Sequence, residues 1–203
     1  MRKAINFTLL VLLTATICLI LDCSAEKRQL QENIIRLHVV ANSDSTFDQE
    51  QKLRVRDAVN DYLQVILVDA TTEDEAESVI RDNLSEIADI AQRKLIDEGS
   101  EYPVCVKFGE ECFDIRRYDT FSLPSGVYTS LRIEIGDAEG RNWWCVAFPS
   151  LCMSATSNEF TDVAVSSGFS DRLTNTLAGN DQIEIRFYFL DLLGNLENFL
   201  HNR

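Results

Sequence analysis

The chain opens on an apolar run with no period in it. Arg2 and Lys3 are followed by residues 4–21 without a single charge, and Asp22 ends the run. A basic start before such a run predicts either an export signal peptide or a membrane-spanning anchor, because about 17–25 apolar residues cross a bilayer core. Cys23-Ser24-Ala25 offers small residues where a signal peptidase cuts. Residues 1–25 are therefore read as a leader, cleaved after Ala25 or kept as an uncleaved anchor. Residues 26–203 are read as one exported domain, since basic residues ahead of the run stay cytoplasmic. Asp22, directly before Cys23, argues against lipoprotein processing.

Beyond the leader the pattern alternates and then steps. Ile35, Leu37 and Val39 alternate with Arg36 and His38, which predicts a short strand. Ala41-Asn42-Ser43-Asp44-Ser45 is turn and N-cap chemistry. A helix follows to about Val68, with Leu53, Val59, Tyr62, Leu63 and Ile66 on one side. Thr72 and Glu75 have capping-box spacing ahead of Ala76, Ile80, Leu84, Ile87, Ala91 and Leu95, which predicts a second helix closed by Gly99. The two helices read as a helical hairpin. Val104–Phe108 and Glu111–Ile115 read as two strands turning at Gly109, which sets Cys105 opposite Cys112 for a cross-strand disulfide.

Val127–Ile135 alternates for its whole length, and Asn142–Phe148 is expected to return beside it after the turn at Gly136-Asp137 and Glu139-Gly140. Residues 153–182 are rich in Ser, Asn and Thr with weak period, and read as a long loop. Ile183–Phe189 alternates as a strand, and Leu192, Leu193, Leu196 and Leu200 predict a closing helix. With three prolines and eight glycines the chain lacks a linker. The sum is an α+β domain: a mostly antiparallel sheet with a helical hairpin and a C-terminal helix packed on one face.

Charge narrows the partners. The formal net charge is −14, and it becomes more negative without Arg2 and Lys3. Such a domain does not hold nucleic-acid phosphates unaided and is repelled by anionic lipid, so the expected partner is a protein. Of the six cysteines, Cys18 and Cys23 lie in the export segment. In an exported protein Cys105, Cys112, Cys145 and Cys152 read first as disulfide candidates, since neither pair has tight zinc-binding spacing. Motifs for metal, nucleotide or dinucleotide cofactors are missing. Neither His38 nor His201 sits in a recognisable nucleophile motif. The acids Glu73-Asp74-Glu75 suit a helix N-terminus better than a calcium loop. The residues thus favour a binding or signalling domain without catalytic groups. An envelope hydrolase using a carboxylate pair, or an extracytoplasmic protease inhibitor or scaffold, are the alternatives.

Two segments are more particular. One runs Ile35-Arg36-Leu37-His38-Val39-Val40-Ala41-Asn42-Ser43-Asp44-Ser45 and on through Asp48-Gln49, Lys52 and Val55-Arg56-Asp57-Ala58-Val59. The other runs Gly126-Val127-Tyr128, Leu131-Arg132-Ile133-Glu134-Ile135-Gly136 and Gly140-Arg141-Asn142-Trp143-Trp144-Cys145-Val146-Ala147-Phe148-Pro149-Ser150-Leu151-Cys152. Together they resemble the stage II sporulation protein R family of endospore-forming Firmicutes. The resemblance implies a protein made in the forespore and secreted into the space between forespore and mother cell. There the family triggers a membrane-embedded aspartic protease that processes pro-sigma-E. It also adds weight to a Cys145–Cys152 staple, both cysteines falling in the motif. Receptor contacts are expected at Asn42, Ser43, Asp44, Arg56, Asp57, Trp143 and Trp144. One of the two tryptophans is expected to face the core and the other solvent.

Overall fold

The computed structural model describes residues 2–118, 121–150, 165, 169–178 and 184–201. Helix α1 (Arg2–Gln31) leads into β1 (Ile35–Val40), and α2 (Thr46–Ile66), α3 (Glu73–Asp82) and α4 (Leu84–Asp97) follow. Then come β2 (Val104–Phe113), the short β3 (Arg116–Arg117) and β4 (Ser122–Leu123), β5 (Gly126–Ile135) and β6 (Asn142–Phe148). Two helices, α5 (Asp171–Leu177) and α6 (Glu184–His201), complete the described chain.

The α+β class and the mostly antiparallel pairing are as the pattern predicts. The main sheet has the order β2-β5-β1-β6, with only β1 and β5 parallel. β6 does not return beside β5, because β1 lies between them, with Leu37 opposite Leu131 on one side and Cys145 on the other. The 136–141 connection must therefore arch over the exit of β1, which brings the two distinctive segments together.

Period two decides the faces. Ile35, Leu37 and Val39 point with Leu131, Ile133, Ile135, Cys145 and Ala147 into a core shared with Val55, Val59, Leu63, Ile80, Ile87 and Leu95 of the helices α2–α4. The opposite face carries Phe113, Tyr128 and Val146 into a second cluster with Cys23 and Leu30 of α1, Leu173 and Leu177 of α5, and Leu190 of α6. Helices thus cover both faces, not one. Arg36 is fully buried on this second face. Its guanidinium lies 4.0 Å from the Phe113 ring centroid and donates to the Tyr118 hydroxyl at 3.1 Å.

Four further expectations change. The predicted second helix is two, because Asn83 donates from Nδ2 to the Val79 carbonyl and accepts from the Tyr62 hydroxyl, turning the chain between α3 and α4. No hairpin forms at Gly109: β2 is one ten-residue strand with Gly109 opposite Ser130. Cys105 and Cys112 therefore lie some 23 Å apart along one strand at about 3.3 Å per residue and cannot bond to each other. Cys105 is a free thiol. Of the alternation read from Ile183 to Phe189, residues 184–189 belong to α6 rather than to a strand, and Ile183 lies outside the described residues. The expected loop 153–182 contains α5, capped by Ser170; most of the rest of it, and Cys152, lie outside the described residues.

Candidate functional site

The site is built where β1 ends. Ser45 has extended backbone and its side chain accepts the Asp48 amide, which starts α2. Asp48 is buried at the third helical position and accepts from Asn42 Nδ2 at 2.9 Å and Ser43 Oγ at 2.6 Å. Burial pushes the Asp48 carboxyl up, but the hydrogen bonds from Ser43, Asn42 and Ser45 outweigh it and hold the carboxyl below its ordinary range. One carboxylate thus organises the whole Asn42–Ser45 turn.

The 136–141 arch is sewn onto that turn. Asn42 accepts the Asp137 amide on its side chain and the Glu139 amide on its carbonyl. The Gly140 amide donates to the Ala41 carbonyl, and the Arg141 amide donates to Asp44 at 2.7 Å. Gly136 sits at φ +58, and a Cβ there would strike the Asn42 side chain. At Gly140 it would strike the Ser43 carbonyl. Both positions need glycine for close approach, the first also for its left-handed backbone. From below, Lys52 is buried and donates to the Arg141 carbonyl at 2.9 Å and to Gln49. Desolvation and the nearby Arg141 charge hold its ammonium below the usual lysine range.

This clamp presents an outer surface. Arg141 and Asp44 form an exposed ion pair at 3.4 Å, and Phe47 is about half exposed beside them in sequence, at the first turn of α2. About two and a half turns further along α2, the Arg56 guanidinium lies 4.3 Å from the Trp143 ring centroid and pairs with Asp57. Asn42, Ser43 and Asp44 therefore share one clamp, while Arg56, Asp57 and Trp143 adjoin it along α2 and β6. Trp144 does not join them. It is on the other face, stacked on His38 at 3.7 Å between centroids. Both tryptophans are half-buried, so neither is the fully exposed anchor that alternation predicted.

His38 is buried and its Nδ1 is 2.8 Å from Glu111, which Arg132 also engages. Desolvation raises the Glu111 carboxyl, but its bonds to His38 and Arg132 bring it below its ordinary range. The network holds β1, β2 and β5 together. Among the described residues a groove of about 380 Å³ gathers the carboxylates of Glu32, Glu73, Glu77, Glu110 and Glu197. Burial raises the Glu73 carboxyl, with Glu77 and Asp74 adding to it, whereas Glu197 is bound by Lys27, Gln31 and the Val127 amide. Among the described residues no three His, Cys, Asp or Glu side chains converge for a metal.

Cys145 is buried and is not a free thiol. The distinctive segments of the sequence already contain Asp48, Lys52 and Arg141 without marking them as special, and they pass over Phe47. The Ser45-to-Asp48 spacing, a polar N-cap with an acid three residues on, was the legible signal for Asp48.

Comparison with known proteins adds the following. The Stage II sporulation protein R family model matches residues 31–158. Stage II sporulation protein R of Bacillus subtilis (strain 168) is 36% identical over 166 residues, covering 78% of this chain and 74% of that protein. No solved structure matches.

Proposed function

This chain belongs to the stage II sporulation protein R family, and we propose that it is the exported intercellular signal of endospore formation that switches on a membrane-embedded aspartic protease. The protease then processes pro-sigma-E in the mother cell. The protein acts from the space between forespore and mother cell, by binding and not by catalysis. A binding protein can activate an enzyme only through higher affinity for its active state, so the docking surface must be rigid and specific.

The observation that supports this reading is the clamp. Two stretches far apart in sequence, 41–57 and 136–144, meet at one end of the sheet, and buried Asp48 and Lys52 hold them there. Outside the clamp the exposed groups Asp44, Phe47, Asp57 and Arg141 give a mixed-charge surface with one apolar side chain. We place receptor contact on this surface, with Asn42 and Ser43 setting its shape and Arg56 and Trp143 backing it. A Cys145–Cys152 disulfide would staple the chain leaving β6. The N-terminal helix suits export or membrane anchoring, with an apolar window long enough to span and none of it buried. In this reading it remains as the tether.

Reconstitution tests the proposal. The protease, pro-sigma-E and this chain are combined in one membrane preparation, and cleavage is followed with and without the chain. Cleavage that requires the chain is expected. Cleavage that proceeds equally without it, or that the chain suppresses as an inhibitor would, sinks the reading. Hydrolysis of peptidoglycan by the purified chain, abolished by Glu73→Gln, would instead favour the carboxylate-pair hydrolase, since Glu73 lines the groove with a raised pKa.

A further inference from the structure

Helix α6 has two very different sides. Its inner side is fastened to the sheet: Ser125 donates from its amide to Asp191 at 2.9 Å and from its hydroxyl to the Asp191 carbonyl at 2.8 Å. Gly194 passes so close to the Ser125 carbonyl that a Cβ would collide with it. Glu197 then accepts from the Val127 amide and from Lys27 and Gln31 of α1. On the outer side, Tyr188, Leu192, Leu196 and Leu200 are 74%, 55%, 55% and 62% exposed. They are spaced by four, which aligns them as one ridge. A soluble helix turns its polar side outward; here the outward ridge is apolar for a little over three turns.

The neighbour of α6 says what covers that ridge. α1 carries an apolar window of mean hydropathy 2.4, none of it fully buried in the protein, which suits hydrocarbon around the run up to about Leu19. The helix does not end there. It continues unbroken to Gln31 with Cys23, Glu26, Lys27 and Leu30 buried in the domain. Leu19, inside the apolar run, packs against the same cluster as Phe187, Phe189 and Leu193 of α6. The first turns of α6 are thereby brought to the level at which α1 enters the bilayer. The strong negative charge of the domain disfavours a second copy as the cover.

We propose that the outer ridge of α6, led by Tyr188 and Leu192, sits in the headgroup–acyl boundary of the bilayer that α1 crosses, beside the point where α1 emerges. A tyrosine with an apolar ring and a polar tip suits that boundary. The contact fixes the domain's orientation on the membrane, in place of a swivelling tether, and needs zwitterionic lipid since the ridge carries no basic residue.

Photo-crosslinking on the full chain tests this. Benzoylphenylalanine is placed at position 188 or 192, and as a control at 68, where Val68 is 75% exposed on the far side of the core. Each variant is reconstituted in phosphatidylcholine vesicles, irradiated, and read by mass spectrometry. Lipid adducts at 188 and 192 at several times the yield at 68 are expected. Equal yields at all three, or adducts at 188 and 192 only with a second copy, would overturn the proposal. The vesicles contain no protease, so this outcome is independent of the signalling reading.

Discussion

Asp48 and Phe47 are neighbours in sequence with opposite tasks. Asp48 is 4% exposed and accepts two side-chain bonds that set the loop; Phe47 faces outward and sets nothing. Asp48→Asn keeps the size but loses the charge that both donors address, and a weakened bond of this kind in a buried site costs about 1–3 kcal/mol. The expected result is a lower urea midpoint with unchanged slope, together with weaker activation of the protease. Phe47→Ala should leave the midpoint nearly unchanged, by about 0.5 kcal/mol or less for an exposed site. Activation should nonetheless fall. If Phe47→Ala activates like the unaltered chain, the apolar side chain is not part of the docking surface.

At the scale of elements, the helix caps separate fold from function. Ser45 caps α2 inside the clamp, and Thr72 caps α3 away from it through a full capping box with Glu75. Either cap replaced by alanine should cost about 1 kcal/mol, the usual value for a lost cap. Thermal melts of Ser45→Ala and Thr72→Ala should therefore shift alike, while only Ser45→Ala impairs activation. Equal impairment by both would mean that stability, not loop geometry, limits the signal. The arch offers a companion test: Gly140→Val places a branched side chain against the Ser43 carbonyl, and should open the clamp while circular dichroism still reports α2–α4.

For the whole molecule, most of the interior carboxylates of the described chain push in the same direction. Asp48, Glu111, Glu134 and Glu197 are held below their ordinary pKa values. A depressed folded pKa contributes stability above the unfolded value, near 4, and this is lost as pH falls through the folded value. Glu73 has the opposite sign: raised by burial, it favours the folded state slightly in acid. Four against one predicts a melting temperature that is flat from neutral pH to about pH 5 and declines below about pH 4. Asp48→Asn should flatten part of that decline. A further cut at whole-molecule scale divides the apolar start of α1 from the rest of the chain. A chain beginning at Glu26 keeps Lys27 and Gln31 on Gly126 and Glu197 and Leu30 in the second core, while one beginning at Glu32 loses them. The second should melt several degrees lower.

Sequence alone was enough for whatever depends on neighbours along the chain. The apolar N-terminal run, β1, α2 with its Ser45 cap, the Thr72 capping box, β5 and β6 were all legible, because period and cap chemistry are local. The distinctive strings around Asn42 and Trp143 pointed to the family for the same reason. What depended on partners distant in sequence was not legible. Alternation from Ile183 to Phe189 fits a strand, yet 184–189 are helix, with Phe187 and Phe189 packed on the second core, since short apolar runs take the structure their neighbours bury. Gly109 looked like a turn, but pairing with Ser130 across β5 carries β2 straight through it. Above all, only the insertion of β1 between β5 and β6 decided that the Asn42 turn and the Arg141 arch touch, because strand order is set by which faces bury together and leaves no trace in the local pattern.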